Sequence, residues 1–204
     1  VATLKSEKET AASNLETQKK GLEDQQEQAA ADADAAAKRI AEIDAANRAA
    51  YESGQDTGVS SESIGADSLG DGYIGHPISG PLSVTSPFGY RVHPVTGVGT
   101  GHQGTDFAAA DGTPQYAAVS GVATYWDSAS CGIGIDINAG YINGHSYVIT
   151  LCHLSGRAIA DGQQVNRGDL VGYTGSTGYA TGPHVHFQVA QDGVYIDPMT
   201  LPGF

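Results

Sequence analysis

Several things are scarce in this chain of 204 residues. It has only ten lysines and arginines against 23 acids, for a formal net charge of −13 at pH 7. With no basic cluster to neutralise phosphates, the charge balance argues against nucleic acid as a partner. It argues equally against simple electrostatic docking onto anionic polymers or lipids. No run of eighteen apolar residues occurs, so no membrane span is expected. No basic-then-apolar leader opens the chain, and any export signal is expected to have been removed or omitted. Two cysteines are too few for a closed four-cysteine zinc site. There is no HExxH helix with its glutamate base and no GxSxG elbow for a serine nucleophile.

Residues 1–52 lack proline, have Gly21 as their one glycine, and are rich in Ala, Glu, Gln and Lys. This composition predicts one long helix, a rod of about 75 Å at about 1.5 Å per residue. Leu15, Leu22, Ala29, Ala36, Ile43 and Ala50 recur every seven residues, as one position of a coiled coil does. The companion position holds Gln18, Gln25, Asp32 and Arg39 before Ala46, so the seam is thin. Such a helix is either a solvated rod or half of a partner-dependent coiled coil. Too little apolar surface recurs for stability in isolation, so residues 1–52 are expected to seek a partner helix or the following domain, where they could restrain activity. Residues 53–75 are rich in Gly, Ser and Asp without a helical period, which predicts a flexible acidic linker.

From residue 76 to 204 the pattern becomes short β-prone runs punctuated by Gly and Pro. Strands are expected near 83–85, 105–109, 115–117, 121–126, 133–137, 146–152, 170–173 and 184–190. In the last of these, His184 and His186 share one face while Val185 and Phe187 share the other. Upstream, His102 and Asp106 stand at i and i+4, which also share a face in an extended segment. Two neutral imidazoles and a carboxylate form a common three-ligand catalytic zinc set, with a fourth position left for water. Bound zinc lowers the pKa of that water to about 7.

The segments SPFGYRVHPVTG (86–97), GHQGTDFAAADGTPQYAAVSGVA (101–123), CHLS (152–155), GDLVGYTGSTG (168–178) and TGPHVHFQV (181–189) resemble lysostaphin-type, LytM-domain zinc endopeptidases of peptidoglycan. The resemblance covers roughly 77–200 in the family's order. It implies a mainly β domain, an antiparallel sheet with a groove, preceded here by the helix. It further implies one Zn2+ held by His102, Asp106 and His186, with His153 and His184 as catalytic histidines outside the coordination shell. The segment 86–101, with Arg91 and His93, is the implied groove wall. The implied substrate is the stem or cross-bridge peptide of peptidoglycan, and the implied location is secreted or cell-envelope, phage-borne proteins included. The histidines would orient water, carry its proton and stabilise the oxyanion. A catalytically silent wall-binding or activator module is the rival reading, and the complete set of five polar positions argues against it. Cys152 and Gln188 depart from the usual pattern, where an aromatic or small residue and an acid are expected. His76, His93 and His145 stand outside the motifs and are assigned ordinary turn or surface roles.

Cys131 and Cys152 flank two strands, IGIDI (133–137) and SYVITLC (146–152), joined by NAGYINGH. If Ile137 opposes Ser146, the same register sets Cys131 opposite Cys152, at a separation compatible with a disulfide. Strand alternation then aims Cys152 away from the site that His153 serves, which disfavours Cys152 as a metal ligand.

Overall fold

Strong helix formers run unbroken through the first fifty residues, and β-branched residues between glycine turns take over afterwards. The computed structural model describes residues 2–55, 69–70, 72–92 and 99–204. Helix α1 spans Ala2–Glu52. It is followed by β1 (Val84–Ser86), β2 (Gly89–Val92), β3 (Gly99–His102), β4 (Thr105–Ala108), β5 (Pro114–Tyr116) and β6 (Gly121–Ser128). Then come β7 (Gly132–Ile142), β8 (His145–Arg157), β9 (Gln163–Val165), β10 (Leu170–Thr174), β11 (His184–Gln191), β12 (Val194–Ile196) and a 3-10 turn, Pro198–Thr200. The fold is a mainly β domain preceded by a long helix, as expected. All the expected strands are present; β2, β3, β9 and β12 are additional, each too short to show a period. His93 and most of the expected linker lie outside the described residues.

Among the described residues the main antiparallel sheet runs β1-β4-β11-β8-β7-β6-β9. β12 adds to β11, β10 bridges β8 and β5, and β2 pairs with β3 in a separate ribbon. One face of the sheet carries Phe107, Ile135, Ile137, Ile149, Leu151, Val185, Phe187 and Val189, all fully buried in the main core. Ile74 joins that core and Leu69 is buried, while the Arg167 guanidinium donates to the Leu69, Gly70 and Gly72 carbonyls. The last residues of the expected linker are therefore part of the packed domain.

The β7–β8 hairpin corrects the predicted register. Ile137 pairs with Ile149, not Ser146, because the turn is Asn143-Gly144 and both strands extend to it. Both turn residues have positive φ, 53° and 86°, as a two-residue hairpin turn of matching twist requires. Cys131 is not a strand residue at all; it lies in the turn before β7. That turn nonetheless sets it 4.9 Å, Cα to Cα, from Cys152, where β8 bulges between Leu151 and Leu154, and the two form a disulfide. The bond thus rests on the turn before β7 lying against the bulge in β8 rather than on a regular register. Closing this loop is worth about 2–4 kcal/mol. Under non-reducing conditions no thiol should react with an alkylating agent, and reduction should lower the melting temperature while metal content is unchanged.

The helix finds its surface on the sheet. Its inward stripe is Ala29, Ala36, Ile43 and Ala50 together with Gln26, Ala33, Ile40 and Asn47, while Leu15 and Leu22 remain exposed. The first series is the expected heptad position; the second lies one residue C-terminal to the expected companion. Ile40 packs on Val148 and Ala190, with Ile43 and Tyr195 beside them. Apolar contact is small, and polar contacts complete the docking. Arg39 pairs with Asp136 at 2.6 Å and lies 3.4 Å from the centre of the Trp126 ring. Asn47 exchanges hydrogen bonds with Asn138 at 2.8 and 3.0 Å and donates to Ser146 Oγ at 2.9 Å. Tyr51 stacks on Tyr141 at 4.4 Å. From Asp32 to Tyr51 the helix runs along β7, on the face opposite the main core.

Candidate metal centre

That same face carries the polar motifs. On β11, Val185 and Phe187 enter the core, which turns His184 and His186 to the other side. In β4, Asp106 pairs directly with His186, so their side chains share a face. His102 ends β3, the strand next to β4 in the chain. Gly104 lies between them because a Cβ there would come 2.6 Å from the Phe187 carbonyl oxygen and 3.0 Å from His186 Cε1.

Three donor atoms converge. His102 Nε2 lies 3.2 Å from His186 Nδ1 and 3.2 Å from Asp106 Oδ1, and His186 Nδ1 lies 2.7 Å from the same oxygen. Ligands bound tetrahedrally to zinc at about 2.0–2.1 Å are about 3.3 Å apart. Two of the three spacings match that edge, and the shorter one is that of a hydrogen bond. His102 Nδ1 donates to the Pro87 carbonyl at 2.7 Å, which leaves Nε2 unprotonated and able to take a metal. All three residues are buried or nearly so. Burial alone would raise the Asp106 pKa, but the adjoining His102 and His186 rings hold it well below the carboxylate range. Burial pushes the His186 pKa down, against the pull of Asp106. The donor set is two imidazoles and a carboxylate, which fits a divalent transition metal such as zinc.

His153 and His184 stand beside this trio. Their ring centres are 4.8 Å apart, and His153 is 5.5 Å from the His186 ring. His184 Nε2 comes 3.7 Å from Asp106 Oδ1 and its Nδ1 donates to the Gly182 carbonyl at 2.8 Å. His153 Nδ1 donates to the Thr177 carbonyl at 2.8 Å. Burial, reinforced by the neighbouring His186, lowers the His153 pKa to about 4, so its Nε2 is a free acceptor at neutral pH.

Strand alternation misplaces Cys152 here. Cys152 pairs directly with His186 and so faces the site, not away from it. His153 reaches the same side because its backbone turns left-handed, at φ 60°. That conformation costs a non-glycine residue about 1–3 kcal/mol and is held by the bond from His153 N–H to the Cys131 carbonyl at 2.8 Å. The disulfide and this bond fasten the 129–131 turn to the site. Gly178 permits the loop carrying Thr177 to approach, since a Cβ there would meet Ser130 O at 2.4 Å. The carbonyls of Pro87, Thr177 and Gly182 escaped sequence reasoning because any residue supplies one and only the loop path aims it. His76 bonds the Gly203 carbonyl at 2.7 Å and His145 pairs with Asp192 at 2.6 Å, so neither joins the site. Gln188 is buried on the site's face, beside Gly104.

The sequence model of Peptidase family M23 matches residues 100–198. A relative from Vibrio cholerae, named peptidoglycan DD-endopeptidase ShyA, is 34% identical over 135 residues, which are 65% of this chain and 30% of that protein. A crystal structure of a zinc-containing peptidase from Vibrio cholerae is 34% identical with a TM-score of 0.56, over 62% of this chain and 39% of the other. The catalytic domain of the prophage-encoded M23 protein EnpA from Enterococcus faecalis, as an A109H mutant, is 30% identical with a TM-score of 0.50; the match covers 60% of this chain and 93% of that one. The chain spans less than a third of the length of the curated relatives it matches. Sequence and fold agree over the region that carries the converging histidines and aspartate: the chain belongs to peptidase family M23.

Proposed function

We propose that the chain is a zinc-dependent endopeptidase that hydrolyses peptide bonds in the stem or cross-bridge peptides of peptidoglycan. The observation that carries this reading is the convergence of His102 Nε2, His186 Nδ1 and Asp106 Oδ1 with two further histidines alongside. His102, Asp106 and His186 are the proposed ligands of one Zn2+, and the names of the relatives support both the metal and the substrate. Zinc, when bound, supplies a Lewis acid and lowers the pKa of water. His153 and His184 are the proposed catalytic residues. Each has Nδ1–H committed to a backbone carbonyl, which fixes the ring and leaves Nε2 as the proton acceptor. One of them takes the proton of the attacking water, and once protonated it can donate to the oxyanion or to the leaving amine. A substrate in the wall of a cell or of a phage's host puts the chain in the envelope or outside the cell, where the disulfide is stable.

The test is cleavage of purified peptidoglycan, with products identified by mass. A chelator should abolish release of peptides, and one equivalent of zinc should restore it. Undiminished cleavage in the chelated, zinc-free chain would refute the reading.

A further inference from the structure

α1 does more than rest on the sheet. Asp32 Oδ2 accepts from the Ser130 N–H at 2.7 Å, which ties the helix to the turn that holds His153. From just beside that tie toward the N-terminus, one face of the helix overhangs the metal-site residues. Leu22, Gln25, Gln26, Ala29 and Ala33 line the same cleft, of about 1440 Å³, as His102, Asp106, His153, His184 and His186. That space exceeds the roughly 300–1,000 Å³ of sites for small ligands and suits several residues of a polymer. Apart from Asp32, whose carboxylate is engaged by Ser130 and Gln28, the overhanging face is uncharged: three apolar side chains and two amides.

We propose that α1 is the second wall of the substrate cleft, and that its Gln25, Gln26 and Ala29 contact an extended peptide of peptidoglycan. The proposal rests on the peptidase reading for the identity of the occupant. A helix that plugged the site would put a side chain among the histidines; here small and neutral groups face them across open space. A primary amide both donates and accepts, as an extended peptide backbone does, so two glutamines suit a main chain whatever its side chains. Ala29 sets the width of the cleft. On this account the helix favours a slender, unfolded peptide strand, and it contributes to binding rather than to the chemical step.

The experiment uses the full chain and two readouts: retention on purified insoluble peptidoglycan in the presence of a chelator, and zinc-dependent release of peptides. Ala29→Phe narrows the cleft and should cut retention and kcat/KM tenfold or more, with zinc content unchanged. Ala30→Phe, on the exposed face, should stay within twofold of the parent. Emission of Trp126, which lies under Arg39, reports whether the helix is still docked; if Ala29→Phe displaces it, the double variant Gln25→Ala, Gln26→Ala replaces it and should lower retention at least threefold. Unchanged retention in the cleft variants, or faster cleavage by Ala29→Phe as from a released plug, would overturn the wall. Retention that falls while no form cleaves would keep the wall as a binding surface and refute the peptidase reading instead.

Discussion

His186→Ala and Asp106→Ala should each remove zinc and activity together, while His153→Ala and His184→Ala should keep near-stoichiometric zinc and lose roughly two or more orders of magnitude in rate. The separation follows from geometry. The donor atoms of His102, Asp106 and His186 lie within 2.7–3.2 Å of one another, and a catalytic zinc with three protein ligands cannot spare one. His153 and His184 touch this cluster only from outside, and each is fixed by its own carbonyl acceptor. Removing either leaves the three donors in place and takes away a proton acceptor. Metal content by mass spectrometry, measured beside turnover, checks both halves. Loss of zinc in His184→Ala with retention in His186→Ala would reverse the roles of the pair.

Arg39→Ala should release α1 from the sheet. Asp136 is buried, its side chain only 1% exposed, and it is held by the Arg39 pair and the Thr150 hydroxyl at 2.6 Å. Burial pushes the Asp136 pKa up, and the pairing with Arg39 opposes it. A buried charge stripped of its partner costs about 3–5 kcal/mol. The remaining hold, the apolar contacts around Ile40 at about 1.5–3 kcal/mol for a fully buried side chain and the Asn47 hydrogen bonds at about 0.5–1.5 kcal/mol each, is of the same size as that penalty. Undocking relieves it by returning Asp136 to water, so the helix should detach before the sheet unfolds. The chain's one tryptophan, Trp126, lies beneath Arg39, so its emission should shift to the red. Residues 1–52 should become sensitive to protease while zinc stays bound. A double variant, Arg39→Met with Asp136→Leu, removes both charges and should recover much of the docking. Unaltered emission and protease resistance in Arg39→Ala would show that the polar latch is dispensable.

Much of this architecture is legible in the residues. Unbroken helix-forming composition marks α1, and glycine-punctuated β-prone runs mark the strands. The alternation of His184 and His186 with Val185 and Phe187 places both imidazoles on one face, because a strand repeats every two residues. Alternation fails where the backbone leaves its regular path. Cys152 and His153 are adjacent yet serve the same side, since His153 takes a left-handed backbone that only its tertiary hydrogen bonds sustain. The β7–β8 register misleads for a related reason: Cys131 meets Cys152 from the turn before β7, at a bulge in β8, where no regular strand pairing would place it. The heptad in α1 announces an inward stripe without saying against what. Only the fold shows that the stripe meets the sheet, because the docking depends on Asp136, Asn138 and Ser146, which lie ninety or more residues away in the chain. Local periodicity determines which side chains share a face; long-range packing decides what that face meets, and here it sets the helix beside the candidate metal centre.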